Sequence, residues 1–205
     1  MQLVIGNGRR NNNSFTLNLV GLFEAILIAL PVGFAVGLSP ILRAVFYRYI
    51  IALRFTPLSA LVGVFIALFG IYSNMKVQFL AFSIFVYLLP TIIQRIDEVV
   101  QIYTDTAKTL GATKWQMIRT VFLPGSLSSI FEDIRNLAAL SWTYIIIAEM
   151  VNASGGGIGA LAFKASRQSR IDKVFVVLIV IILLGLVQAW VMKSIDKLLF
   201  PHKYA

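Results

Sequence analysis

DTAKTLGATKWQMIRTVFLP, Asp105 to Pro124, is the one long amphipathic, helix-punctuated segment in a chain otherwise built of apolar runs. Upstream of Gly111, apolar or small residues recur at Val99, Ile102, Tyr103, Thr106, Ala107 and Leu110, the spacing that gives a helix one apolar face. Glycine takes left-handed backbone angles without a Cβ clash, so Gly111 is read as the stop of that helix and the point where the chain reverses. Thr113 and Gln116 then have the spacing of a capping box, which predicts a second short helix running to Pro124. The expected product is helix, tight turn, helix, a docking element; an ordinary amphipathic surface pair is the plainer alternative.

Composition places this segment in a membrane protein. Of 205 residues, 59% are hydrophobic and only 13% charged, with a mean hydropathy of +0.85, which excludes a soluble domain. The chain has no cysteine, and its one histidine, His202, sits in the C-terminal tail, so neither a metal centre nor a catalytic triad is expected. The net charge of +9 is spread over the loops rather than gathered on one face, which suits membrane flanks in contact with lipid and not nucleic acid. No GxxxxGK[ST] loop occurs, so any ATP hydrolysis belongs to another subunit and no cofactor is expected.

Five stretches approach the roughly 20 apolar residues needed to cross a bilayer: 15–38, 48–70, 76–94, 128–151 and 174–192. The first carries Glu24 and Pro31 and ends with Gly33 and Gly37, a small-residue pair suited to close helix packing. The second contains LRFTP, in which Arg54 is read as a structural anchor or as a solute contact and Pro57 as kinking or starting the helix, with 39–47 as a turn before it. The fourth opens with Glu132 and Arg135 at the spacing of an intrahelical pair and continues through Ser141, Trp142, Tyr144 and Glu149. Polar side chains there must find partners or line water, so this helix either borders a pathway or is hydrogen-bonded to its neighbours. NASGGGIG, 152–159, reads as a flexible re-entrant or outer loop; its GIG has no preceding strand to make it a nucleotide site. The organisation expected is a polar segment 1–14, a transmembrane domain 15–200 with a loop at 97–124, and a tail 201–205.

With these residues in place, Asp105–Pro124 resembles the EAA loop of ABC-type import permeases. The pattern Glu-Ala-Ala, three residues, Gly, nine residues, Ile, one residue, Leu-Pro falls on Asp105-Thr106-Ala107, Gly111, Val121 and Leu123-Pro124 with every spacing kept. Asp105, Thr106 and Val121 are the departures, each chemically close. The Leu-Arg-x-x-Pro segment at 53–57 and Ala148-Glu149-Met150 are similar to the nitrate, sulfonate, taurine and bicarbonate branch. The resemblance implies an all-α membrane protein of the type I importer permease fold, in the inner (plasma) membrane, with about five spans and without the family's first helix, since Thr16–Ser39 matches what is normally the second. It implies that the loop couples to ATP-binding cassette subunits in the cytoplasm, which places residues 1–14 and 152–173 outside. It also implies a permease homodimer, an extracytoplasmic solute-binding protein, and a pathway near Arg54, Ser141, Trp142, Tyr144 and Glu149.

The solute expected from that branch is a small anion, a sulfonate, nitrate or related oxyanion. Lys164, Arg167, Arg170 and Lys173 face a single Asp172 in the outer segment, and such a rim concentrates anions; flanking the last span, or docking a binding protein, would also account for it. Two other readings remain open at this point, a transport-inactive membrane scaffold and the same fold carrying a vitamin precursor.

Overall fold

The computed structural model describes residues 14–99 and 101–203; most of the polar segment 1–14, and Tyr204 and Ala205 of the tail, lie outside the described residues. The chain is helical, with no strand among the described residues. Helix α1 (Ser14–Leu38) lies along α4 (Ser73–Asp97) through a seam of small residues. Gly21, Ala25, Ala29 and Gly33 recur every four residues on the buried face of α1. A Cβ on Gly33 would come within 2.7 Å of Ile92 Cγ2, and one on Gly21 within 2.8 Å of Leu80 Cδ2, so these glycines permit the close approach. The seam extends the small-residue pair read at 33 and 37 by three further turns.

The expected span at 48–70 is broken at Pro57 and bends sharply there. The chain re-enters helix directly after Ser39 as α2 (Pro40–Leu53), then bends by 102° into α3 (Leu58–Phe69). Pro40 sits in the first turn, where its missing N–H costs nothing, and Ser39 Oγ accepts from Leu42 N at 3.4 Å. The expected turn at 39–47 is therefore helical. Pro57 disfavours helical angles at the residue before it, which explains the break.

The second helix of the Asp105–Pro124 segment also departs from expectation, because it does not end at Pro124. After α5 (Gln101–Thr109), α6 (Lys114–Met117) passes through a wide π-helical turn, Ile118–Phe122, into α7 (Leu123–Val151), one rod of 38 residues. The wide turn shifts the carbonyl that a proline ring would strike and absorbs the missing hydrogen bond, so Pro124 stands in the rod without ending it. Residues 152–173, expected to lie outside between the last two spans, hold a 3-10 turn (Ala153–Gly155) and α8 (Ile158–Arg167) before α9 (Ile171–Leu199).

Among the described residues four helices, α1, α4, α6–α7 and α9, are long and apolar enough to cross a membrane, and the bent α2–α3 pair makes a fifth if counted as one span. The core lies between α1, α4 and α7, where Leu22, Leu80, Ile84, Leu88, Ile92 and Ile130 are buried. Helix α9 is apolar on all sides and buries only Gln188 and Asp196, as expected of a helix whose surroundings are acyl chains.

Candidate functional site

Two hydrogen bonds close α5 at its C-terminal end: Gly111 N donates to Lys108 O and Ala112 N to Ala107 O, both at 2.9 Å. Gly111 has φ +75°, the left-handed geometry that this ending requires. Thr113 N donates to Gln116 Oε1 at 2.8 Å and Gln116 N to Thr113 Oγ1 at 3.4 Å, the reciprocal pair that opens α6. The apolar face of α5 packs against little of its own chain. Ile102 is 65% exposed, Tyr103 61%, Leu110 81% and, on α6, Trp115 69%. Large apolar side chains grouped on a polar segment are what a contact surface for protein or membrane presents.

Asp105, Thr106, Ala107, Gly111, Val121, Leu123 and Pro124 all fall on this projecting unit; Ala107 and Val121 are half-buried and the others exposed. Asp105 accepts from Lys108 Nζ at 3.2 Å, with both side chains more than half exposed. Such a pair is worth about 0–1 kcal/mol. Asp105→Ala is therefore expected to lower uptake by no more than about fivefold, measured in membrane vesicles; complete loss would show that this carboxylate does more than hold Lys108.

Sequence reasoning missed how the base of this unit is tied to the bundle. Arg95, at the end of α4, donates to both oxygens of Asp133 on α7, at 2.6 and 2.9 Å, and to Glu98 at 2.7 Å. That bridge clamps the two helices between which the segment leaves and returns. Glu98, just beyond α4, is held below the usual carboxylate range by the hydrogen bond from Arg95 and then by that from Gln94. Arg43 of α2 makes a two-pronged pair with Asp97, one arm at 2.6 Å. The intrahelical Glu132–Arg135 pair does not form: Arg135 reaches Asp196 of α9 at 3.1 Å, and Glu132 accepts from Lys203 at 2.8 Å. Pairs at i, i+3 are easily read from sequence, whereas these partners lie 38 to 71 residues apart.

The polar residues of the fourth span separate into two settings. Ser141, Trp142 and Glu149 are enclosed by the chain's own helices. Asn18 Nδ2 donates to Ser141 Oγ at 2.7 Å, Trp142 Nε1 to Gln188 Oε1 at 2.7 Å, and Gln188 Nε2 to Asn18 Oδ1 at 3.3 Å. This network joins α1, α7 and α9 and satisfies groups that lipid could not. Tyr144, by contrast, is half-buried beside Tyr87 of α4, their rings stacked with centroids 6.3 Å apart. Arg54, at the α2–α3 bend, donates to Tyr87 O at 3.1 Å and Thr91 Oγ1 at 2.8 Å. Its Nε is buried without a hydrogen-bond partner. Arg54 and Tyr144 thus share the surroundings of Tyr87, apart from the enclosed three.

Glu149 organises the end of the bundle opposite the projecting segment. Ser14 Oγ donates to its Oε1 at 2.7 Å, Gly159 N to its Oε2 at 2.8 Å, and Ile158 N to Ser14 Oγ at 2.9 Å. Lys76, 1% exposed, donates to Gly156 O at 2.7 Å, and Asn152 Nδ2 to Ile71 O at 2.6 Å. The glycines are required by this fit. A Cβ on Gly157 would lie 2.5 Å from Glu149 Oε2 and nearer still to Oε1; one on Gly159 would lie 2.6 Å from Ile146 O. The stretch read as a flexible loop is a turn built around a buried carboxylate and a buried ammonium.

Comparison with known proteins agrees with this architecture. The sequence profile described as "Binding-protein-dependent transport system inner membrane component" matches residues 25–200. The taurine transport system permease protein TauC of Escherichia coli (strain K12) is 28% identical over 188 residues, covering 92% of this chain and 68% of TauC. The bicarbonate transport system permease protein CmpB of Synechococcus elongatus is 30% identical over 199 residues, covering 88% of this chain and 68% of CmpB. Among solved structures, an inward-facing form of the MetNI methionine ABC transporter superposes with a TM-score of 0.77 at 18% identity, covering 90% of this chain and 91% of that one, a likeness of fold.

Proposed function

Because the chain belongs to the family of binding-protein-dependent transport system inner membrane components, an ABC importer permease family of the inner membrane, we propose that it forms the solute pathway of an ATP-driven importer for a small anion. The observation that carries the importer reading is the exposed apolar face of α5 and α6 on the unit closed by Gly111 and Thr113. That unit has the size and chemistry of a plug for a groove in an ATP-binding subunit, and the Arg95–Asp133 bridge at its base passes force to α4 and α7. Two such subunits would dock on the cytoplasmic side of a permease homodimer, while a binding protein delivers solute at the α8 end. Copurification with an ATP-binding subunit, followed by solute-stimulated ATP hydrolysis, tests this; a chain that assembles but never stimulates hydrolysis would be a scaffold instead.

The anion reading rests on the taurine and bicarbonate permeases among the relatives and on Arg54. Its guanidinium is half-buried in the bundle and bonds the neutral oxygens of Tyr87 and Thr91, with no acidic partner among the described residues, so its charge is suited to a passing oxyanion. Arg54 and Tyr144 are the pathway residues in this reading, and Ser141, Trp142 and Glu149 hold the helices that border it. Arg54→Gln is expected to raise the solute concentration for half-maximal uptake at least about tenfold, a change equal to roughly 1.4 kcal/mol, with Arg54→Lys intermediate. An unchanged concentration dependence, or a binding protein that holds a cation, would sink the anion assignment.

A further inference from the structure

Helices α8 and α9 meet at a tight turn, with Ser169 at φ +54°, and diverge to leave a groove of about 480 Å³ at the end of the bundle opposite the projecting segment. Its walls are apolar, Leu161 from α8 and Val176 and Val177 from α9, while Lys164 and Lys173 stand in its lining beside Gln168. Neither lysine ammonium makes a hydrogen bond or ion pair among the described residues. Asp172 also lines the groove, but Arg170 grips both its oxygens, at 3.1 and 2.9 Å, and offsets its charge. Arg167 lies over the Phe163 ring at 5.3 Å. The local balance therefore leaves two cationic groups without a matching anion, set against an apolar cleft.

The groove continues onto α9, the helix with the most apolar composition and the least burial of the four straight spans. Lys173 is in the first turn of α9, where a membrane helix meets the headgroup layer. We propose that the α8–α9 groove is a binding site for one anionic phospholipid of the outer leaflet. Its phosphate sits between Lys164 and Lys173, with Gln168 as a further donor, and an acyl chain lies against Leu161, Val176 and Val177. The two-part chemistry decides between occupants. A free oxyanion uses the ammonium groups and leaves the apolar wall bare. An acidic face of a binding protein would meet the charges but brings no acyl chain to lie against Leu161, Val176 and Val177. A zwitterionic lipid fills the cleft and brings its own cation against the lysines. The site lies away from Arg54 and Tyr144, so lipid occupancy and solute passage are separate events.

The test uses the full-length protein purified in neutral detergent. Thermal unfolding is followed while phosphatidylglycerol or phosphatidylcholine with the same acyl chains is added, and retained lipid is counted by native mass spectrometry. Phosphatidylglycerol is expected to raise the midpoint by about 2–4 °C, saturably and as one retained molecule, and phosphatidylcholine to do markedly less. Lys164→Gln with Lys173→Gln should weaken phosphatidylglycerol at least about tenfold, whereas Lys164→Arg with Lys173→Arg should keep it; the arginine pair guards against a loss that reflects poor folding. Leu161→Asn should weaken it with the charges intact. Equal response to the two lipids, or full retention by the glutamine pair, would overturn the proposal. So would glycerol phosphate competing as well as the intact lipid, or a purified binding protein displacing it from the groove.

Discussion

Gly111→Val is expected to leave the protein in the membrane in normal amount and to cut both uptake and solute-stimulated ATP hydrolysis by at least about tenfold. Nothing stands within 4 Å of where a Cβ would be added, so the substitution makes no clash. Its effect comes from the backbone: φ +75° is unfavourable for a β-branched residue by about 1–3 kcal/mol. The chain relieves that strain by abandoning the turn, and Gly111 N and Ala112 N lose their bonds to Lys108 O and Ala107 O. Ile102, Tyr103 and Leu110 then no longer share an orientation with Trp115. Because the turn projects from the bundle, the transmembrane packing is untouched, and membrane insertion should be normal. Gly111→Asn, which tolerates the left-handed region, is expected to recover most activity. Normal uptake by the valine variant would show that the turn does not transmit anything.

The second large effect is expected at the other end. Gly157→Ala should destabilise the protein by about 2–4 kcal/mol, since it combines a left-handed position at φ +112° with a methyl group placed inside the Glu149 carboxylate. Either Glu149 withdraws from Ser14 and Gly159, leaving a buried carboxylate without its donors, or the turn opens and exposes Lys76. Gly156→Ala is the control. It has the same kind of glycine-favouring backbone, φ +72° with ψ −175°, but open space where the Cβ would go, so it should carry only the backbone cost of about 1–3 kcal/mol without the clash. Thermal unfolding of the two variants in detergent separates clash from strain, and equal midpoints would show that the carboxylate does not fill the space as described.

What the sequence carried best was local. The stop at Gly111, the capping box at Thr113 and Gln116 and four of the spans follow from patterns that repeat within a few residues, and the structure has each of them. The break at Pro57 was legible from the proline itself, but its 102° size was not, because a run of apolar residues has the same composition whether gently kinked or sharply bent. Pro124 misled in the opposite sense, since the wide turn before it absorbs what a proline usually breaks. The polar residues of the fourth span were singled out correctly as polar in lipid, yet only the positions of Asn18, 123 residues from Ser141, and Gln188, 46 residues from Trp142, show that these two face inward. The surroundings of Glu149 could not be read from sequence either, because Ser14, Gly159 and Lys76 come from three different elements.

The wide turn at Ile118–Phe122 also fixes an azimuth. A π-helical turn accommodates one residue more than an α-helical one, and a single residue corresponds to about 100° of rotation about the axis at 3.6 residues per turn. Trp115 therefore points about 100° away from where an unbroken backward extension of α7 would aim it. Substitution along this stretch alters what is touched, but adding or removing one residue turns the whole face about the helix axis. The compass bearing of that face is thus set by a residue count, and a movement of the bulge by one position along the rod would change it with no other helix displaced.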